Sequence, residues 1–160
     1  MVKTRTLIAI LVAGLWATGT ASAAPKSSVP FGQALRDAEM IASFNPAWSV
    51  QRTTGESMGD FFGDNSLIIV QKTTLEEIKP GMMVVYRSTD GELISHQVVA
   101  HDGTAITTQG AANWSVDPEP VTAEMIVGVI FAVFHTSGAP EGDILASDGT
   151  PLPTAVCRTF

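Results

Sequence analysis

Ser57 is the residue whose neighbours best suit it to chemistry. It lies in Thr53-Thr54-Gly55-Glu56-Ser57-Met58, between two stretches of strand-like sequence. A serine hydroxyl attacks a carbonyl only when a base takes its proton. A nearby glycine lets backbone amides approach a developing oxyanion, which makes the backbone at Gly55 and Met58 the candidate oxyanion donors. Gly-x-Ser is also common in turns, and a plain turn serine accounts for these residues equally well. Glu56 and Asp60 flank Ser57 and read as surface charge, because an acid there suppresses a nucleophile. Other reactive side chains are scarce: three histidines (His96, His101, His135), four lysines (Lys3, Lys26, Lys72, Lys79) and one cysteine, Cys157. His101 precedes an Asp-Gly turn and His135 ends a strand-like run, so both read as structural. A lone cysteine supports neither a disulfide framework nor a Cys pair for zinc. Asn113-Trp114-Ser115 fits a glycosylation acceptor.

Composition narrows the function classes. The 160 residues carry 9 Lys+Arg against 16 Asp+Glu, a net charge of −7. That balance argues against a nucleic-acid surface, which needs clustered Lys and Arg against phosphate. Apolar residues make up 45%, enough for a packed core, and the length suits one domain. Residues 1–23 read separately. Lys3 and Arg5 precede the apolar run Leu7 to Ala17, and Ala21-Ser22-Ala23 follows with a small-x-small ending. This is the pattern of a secretory signal peptide, and the run is too short for the ~20 residues of a spanning helix. A retained anchor is the alternative, and it would tie the protein to a membrane. Either way the rest of the chain is expected outside the cytoplasm, periplasmic or secreted. Loss of residues 1–23 removes two basic residues and takes the charge from −7 to −9.

The elements that must position these residues follow from periodicity. Residues 24–47 read as a leader and a short amphipathic helix, with Phe31, Leu35, Ala38, Ile41 and Ala42 spaced by threes and fours until Asn45-Pro46 stops them. Residues 48–135 read as a β domain. Its expected strands are Leu67 to Gln71, Met82 to Arg87, Leu93 to Ala100, Ala105 to Gln109 and Ile126 to Phe134, with hairpin turns at Thr89-Asp90-Gly91 and Asp102-Gly103. Residues 136–160 are polar and rich in Gly, Pro and Asp, and read as a loose tail.

The order of short boxes along this β domain resembles the type I signal peptidase and LexA-like serine peptidase superfamily. The boxes are Gly55-Glu56-Ser57-Met58, then Gly63-Asp64 entering Leu67-Ile68-Ile69-Val70, then Lys79-Pro80-Gly81-Met82 entering Met83-Val84-Val85-Tyr86-Arg87. Ser95-His96-Gln97-Val98-Val99, Gln109-Gly110-Ala111-Ala112-Asn113 with Asp117, and Ile126-Val127-Gly128-Val129 complete the series. The resemblance covers roughly Val50 to Phe134. It implies a mostly β fold, a coiled antiparallel sheet preceded by one short helix. It also implies Ser57 as nucleophile, with the general base on the strand from Leu93 to Ala100. No lysine lies there, so the lysine-using branches do not fit. His96 does lie there, as in the Ser-His-Asp branch typical of the endoplasmic reticulum and archaea. In that branch an aspartate orients the histidine. The box that usually reads Lys-Gly-Asp-Asn-Asn has Ala111 in place of its first aspartate, and Asp117 stands where the second belongs.

The resemblance therefore implies a serine endopeptidase with the set Ser57, His96 and Asp117. Its substrate is a leader or exported polypeptide cut after small residues, and it needs no cofactor or metal. Signal peptidases often add a hydroxyl two residues before the nucleophile, and here that residue is Gly55. Met82 and Ala111 also depart from the pattern. These departures favour the alternative of an inactive member that binds peptides or serves a structural role. A self-cleaving protein of the LexA-like kind is a third possibility, disfavoured by the missing lysine.

Overall fold

The computed structural model describes residues 24–138 and 144–160. The expected signal peptide or anchor, residues 1–23, lies outside the described residues. One helix, α1 (Phe31–Ala42), precedes eight strands: β1 (Trp48–Gly55), β2 (Leu67–Gln71), β3 (Met83–Arg87), β4 (Leu93–His101), β5 (Ala105–Gln109), β6 (Val121–Thr122), β7 (Ile126–Phe134) and β8 (Thr154–Cys157). The described residues are mostly β with one short α-helix. No helix among the described residues is long and apolar enough to cross a membrane.

α1 starts directly after Pro30, whose carbonyl accepts from the amides of Gln33 and Ala34. It ends where the Ser43 amide bonds back to the Glu39 carbonyl, ahead of Asn45-Pro46. The spacing of threes and fours brings Phe31, Ala34, Leu35 and Ala38 to one buried face. Phe31, Ala34 and Leu35 pack with Leu67 and Leu152, closing one side of the β domain.

Six strands run in the order β3-β7-β2-β1-β8-β4, and β4 pairs again with β3, so this part of the sheet closes into a barrel. Closure leaves β2 covered on both faces, which is why Leu67, Ile68, Ile69 and Val70 are all buried and the strand reads as an unbroken apolar run. β5 and β6 extend from the far half of β4, where the β4–β5 register shifts between Val98 and Ala100. The main core lies under these strands. Val84 and Tyr86 of β3, Ile94 and Val98 of β4, and Ile106 of β5 point the same way and meet Leu75, Ile78 and Val121.

β8 corrects the sequence expectation. Residues 136–160 were expected to form a loose tail, yet Thr154–Cys157 is inserted between β1 and β4, parallel to both. Ala155 and Cys157 are buried there. A four-residue strand paired with Arg52–Gly55 and Ile94, both far upstream, carries too little local pattern to be legible.

Packing around β7 is tight enough to dictate a residue. A Cβ placed on Gly128 would sit 2.2 Å from the Gln71 carbonyl oxygen and 2.9 Å from a Val70 methyl. Backbone must therefore shift to admit any side chain. Gly128→Ala is expected to cost about 1–3 kcal/mol, the range for overpacked sites. Thermal unfolding should show a midpoint several degrees lower, and an unchanged midpoint would contradict the packing.

Candidate active site

Three strands build the floor of the site. Val84 pairs with His96 across β3–β4, and Val98 pairs with Thr108 across β4–β5. Side chains two apart on a strand share a face, so Tyr86, His96 and Thr108 extend the same inward rows that carry Val84, Val98 and Ile106. Polar groups thus interrupt an otherwise apolar surface. Burying them is costly unless each finds a partner.

Asp117 supplies that partner. The loop after β5 folds back so that the Asp117 amide donates to the Thr108 carbonyl at 2.8 Å. One carboxylate oxygen, Oδ2, then receives His96 Nδ1 at 2.6 Å, Thr108 Oγ1 at 2.6 Å and Tyr86 Oη at 3.0 Å. The other oxygen, Oδ1, has no hydrogen-bond partner among the described residues. Burial pushes the Asp117 carboxyl up. The hydrogen bonds from His96, Thr108 and Tyr86, with the imidazole charge, outweigh it and hold the group below its usual range. Burial raises the Tyr86 phenol, and the Asp117 charge adds to that, so Tyr86 stays a donor.

Ser57 enters from the opposite side. β1 ends at Gly55, whose φ of 94° turns the chain out of the strand. The Gly55 amide donates to Asp64 Oδ1 at 2.7 Å, and Thr54 Oγ1 donates to the same oxygen at 2.9 Å. A tight turn follows, closed by the Gly59 amide on the Glu56 carbonyl. Met58 and Phe62 anchor it in the core with no exposed surface. The Ala112 amide donates to the Ser57 carbonyl at 2.7 Å, tying the turn to residues 110–113. A Cβ on Gly110 would lie 2.7 Å from Ser57 Cβ, so only glycine allows this approach.

The three residues implied by the resemblance come together. Ser57 Oγ lies 2.9 Å from His96 Nε2, and Ser57, His96 and Asp117 are 2%, 0% and 5% exposed. With Nδ1 facing Asp117, Nε2 is the nitrogen that faces the serine hydroxyl, and in the neutral form of the imidazole it carries the lone pair. That is the connectivity of a serine nucleophile, a base and an orienting carboxylate. Among the described residues no cluster of three or more His, Cys, Asp or Glu is arranged to hold a metal ion.

Other expectations are revised. The Gly55 amide is engaged by Asp64 and is not free to bind an oxyanion. The amides of Ser57 and Met58 make no hydrogen bond among the described residues and remain free donors beside the Ser57 side chain. Asn113 Nδ2 donates to the Arg158 carbonyl at 3.0 Å, which ties residues 110–113 to the C-terminal segment. Sequence reasoning did not single out Tyr86, Thr108 or Arg158. The first two were accessible through strand alternation once His96 was placed. No local signal marked Arg158, whose carbonyl oxygen lies 3.0 Å from His96 Nε2. No known protein-family model matches the chain, and no curated protein matches it in sequence.

The depressed Asp117 carboxyl makes stability depend on pH. A group whose folded pKa lies below its unfolded value, ~3.9 for Asp, stabilises fully above that value. The contribution is lost as pH falls through the folded pKa. Asp117→Asn should therefore flatten the acid limb of a stability-against-pH curve below about pH 4. It should also remove the low-field proton resonance expected of His96 Nδ1–H. Retention of both features in the variant would overturn the assignment.

Proposed function

We propose that the protein is an extracytoplasmic serine endopeptidase of the signal-peptidase type, with the coiled-sheet architecture of that superfamily. The observation that carries this reading is the continuous hydrogen-bonded path from Ser57 Oγ through both nitrogens of His96 to Asp117, at 2.9 and 2.6 Å. Ser57 Oγ attacks the scissile carbonyl while His96 Nε2 takes its proton. The developing oxyanion is met by the amides of Ser57 and Met58. Asp117 holds Nδ1 protonated and stabilises the imidazolium. His96 returns its proton to the leaving amine, and water then hydrolyses the acyl-enzyme by the reverse use of the same base. The substrate is a leader or exported polypeptide with small residues before the cut, delivered outside the cytoplasm by the pattern in residues 1–23.

A second reading, a peptide-binding domain without turnover, draws on the placement of the Arg158 carbonyl beside the base. Hydrolysis of peptides with small residues before the cut, followed by mass spectrometry, separates the two. Ser57→Ala should abolish cleavage, and Asp117→Asn should lower kcat by about 10⁴ by losing the tautomer. Cleavage that survives Ser57→Ala sinks the peptidase reading, and peptide binding with no cleavage, in the unaltered chain and in Arg158→Glu alike, selects the second.

A further inference from the structure

A polypeptide cut by Ser57 must bring its carbonyl to Ser57 Oγ and its leaving nitrogen towards His96 Nε2, and the side of β1 away from β2 is the strand edge that leads to Ser57. In this structure that path is filled by the protein's own residues 154–160. β8 runs parallel to β1, with Arg52, Thr53, Thr54 and Gly55 opposite Thr154, Ala155, Val156 and Cys157. Its inward side chains are both small. Ala155 is fully buried against Ile68, Val70 and Val85, and Cys157 sits between Met58 and Phe62. The fit at the mouth needs Gly55, where a Cβ would fall 2.3 Å from the Cys157 carbonyl oxygen. Beyond the strand, the Arg158 carbonyl faces His96 Nε2 at 3.0 Å, and the Phe160 ring stands edge-on to the imidazole at 5.9 Å between centroids.

The attachment is uneven. β8 packs along β4, but the two strands share one paired ladder position, Ile94 with Val156. Residues after Cys157 are latched at the surface, where the Arg158 guanidinium bonds Asp90 and Glu92 of the β3–β4 turn. Ser88 and Arg158 together hold the Asp90 carboxyl down at about 2. Both acids are exposed, and exposed pairs are weak and screened by salt.

We propose that residues 154–160 are an internal, non-covalent occupant of the polypeptide groove, an autoinhibitory strand that must leave before a substrate strand can reach Ser57. The inhibitory part of this inference rests on the peptidase reading, whereas the occupancy does not. Two small inward residues, Ala155 and Cys157, match the small residues expected before the cut, so the segment competes as a look-alike.

Cys157 reports on the segment directly. It is the chain's one cysteine. Burial, with a further push from the Asp64 charge, raises its thiol to about 12, so a seated segment labels slowly with a maleimide. Release returns the thiol to ordinary reactivity. In the full chain, Arg158→Glu should speed labelling about fivefold by setting like charges against Asp90 and Glu92. Adding Asp90→Arg and Glu92→Arg to that variant should restore slow labelling, which separates unlatching from general unfolding. A synthetic acetyl-Thr-Ala-Val-Ser-Arg-Thr-Phe amide should speed labelling of the unaltered chain in a saturable way. Peptide hydrolysis should rise in parallel with labelling in Arg158→Glu. Labelling that responds to neither the variant nor the peptide overturns the occupancy, even if Ser57-dependent hydrolysis is found. Labelling that responds while no Ser57-dependent hydrolysis exists keeps the occupancy and removes the peptidase reading.

Discussion

A carboxylate buried beneath three strands costs free energy unless donors surround it, and Asp117 meets that requirement on one oxygen. Tyr86 from β3, His96 from β4 and Thr108 from β5 all converge on Oδ2. The same contacts that make burial tolerable lock the three strands to the loop carrying Asp117. They also fix which nitrogen of His96 keeps its proton. Structural demand and chemical demand coincide in this arrangement: removing a donor weakens the site's aim and leaves a buried polar group short of a partner.

Around this centre the limiting quantity is space. Gly110 lets residues 110–113 press against Ser57, and Gly55 lets the strand edge admit a neighbouring chain at its mouth. Ser57 is therefore held from both sides, by the core residues Met58 and Phe62 and by the Ala112 amide. Asp64 organises the β1 end by capturing the Gly55 amide, which leaves the amides nearest Ser57 to the turn itself. The site is held by packing and backbone hydrogen bonds. The Arg158 latch is an exposed ion pair and is screened by salt. A competitor for the groove would act where the holding forces are weakest.

Much of the β domain was legible because its signals are local. The runs at β2 and β7 and the Asp-Gly turns around β4 mark strands by composition alone, and the spacing of α1 marks its buried face. The sequence pointed to Ser57, His96 and Asp117 through the order of boxes, not through any one of them, and the structure brings the three side chains together. Gly55 was misread as an oxyanion donor because a glycine in sequence does not reveal what its amide already bonds. β8 was misread as loose because Thr-Ala-Val-Cys has neither alternation nor flanking runs to distinguish it.

The sequence by itself determined that this is an acidic, mostly β domain with one short helix, and which residue types could act as nucleophile, base and orienting acid. Those properties reside in composition, period and turn chemistry within a few residues of each position. Tertiary structure decided that the three residues meet within hydrogen-bond reach, that Tyr86 and Thr108 share the burden of Asp117, and that residues 154–160 lie across the site. Each of these depends on contacts between segments far apart in the chain, and the free energy of such contacts comes from shared burial and paired polar groups that no single segment encodes.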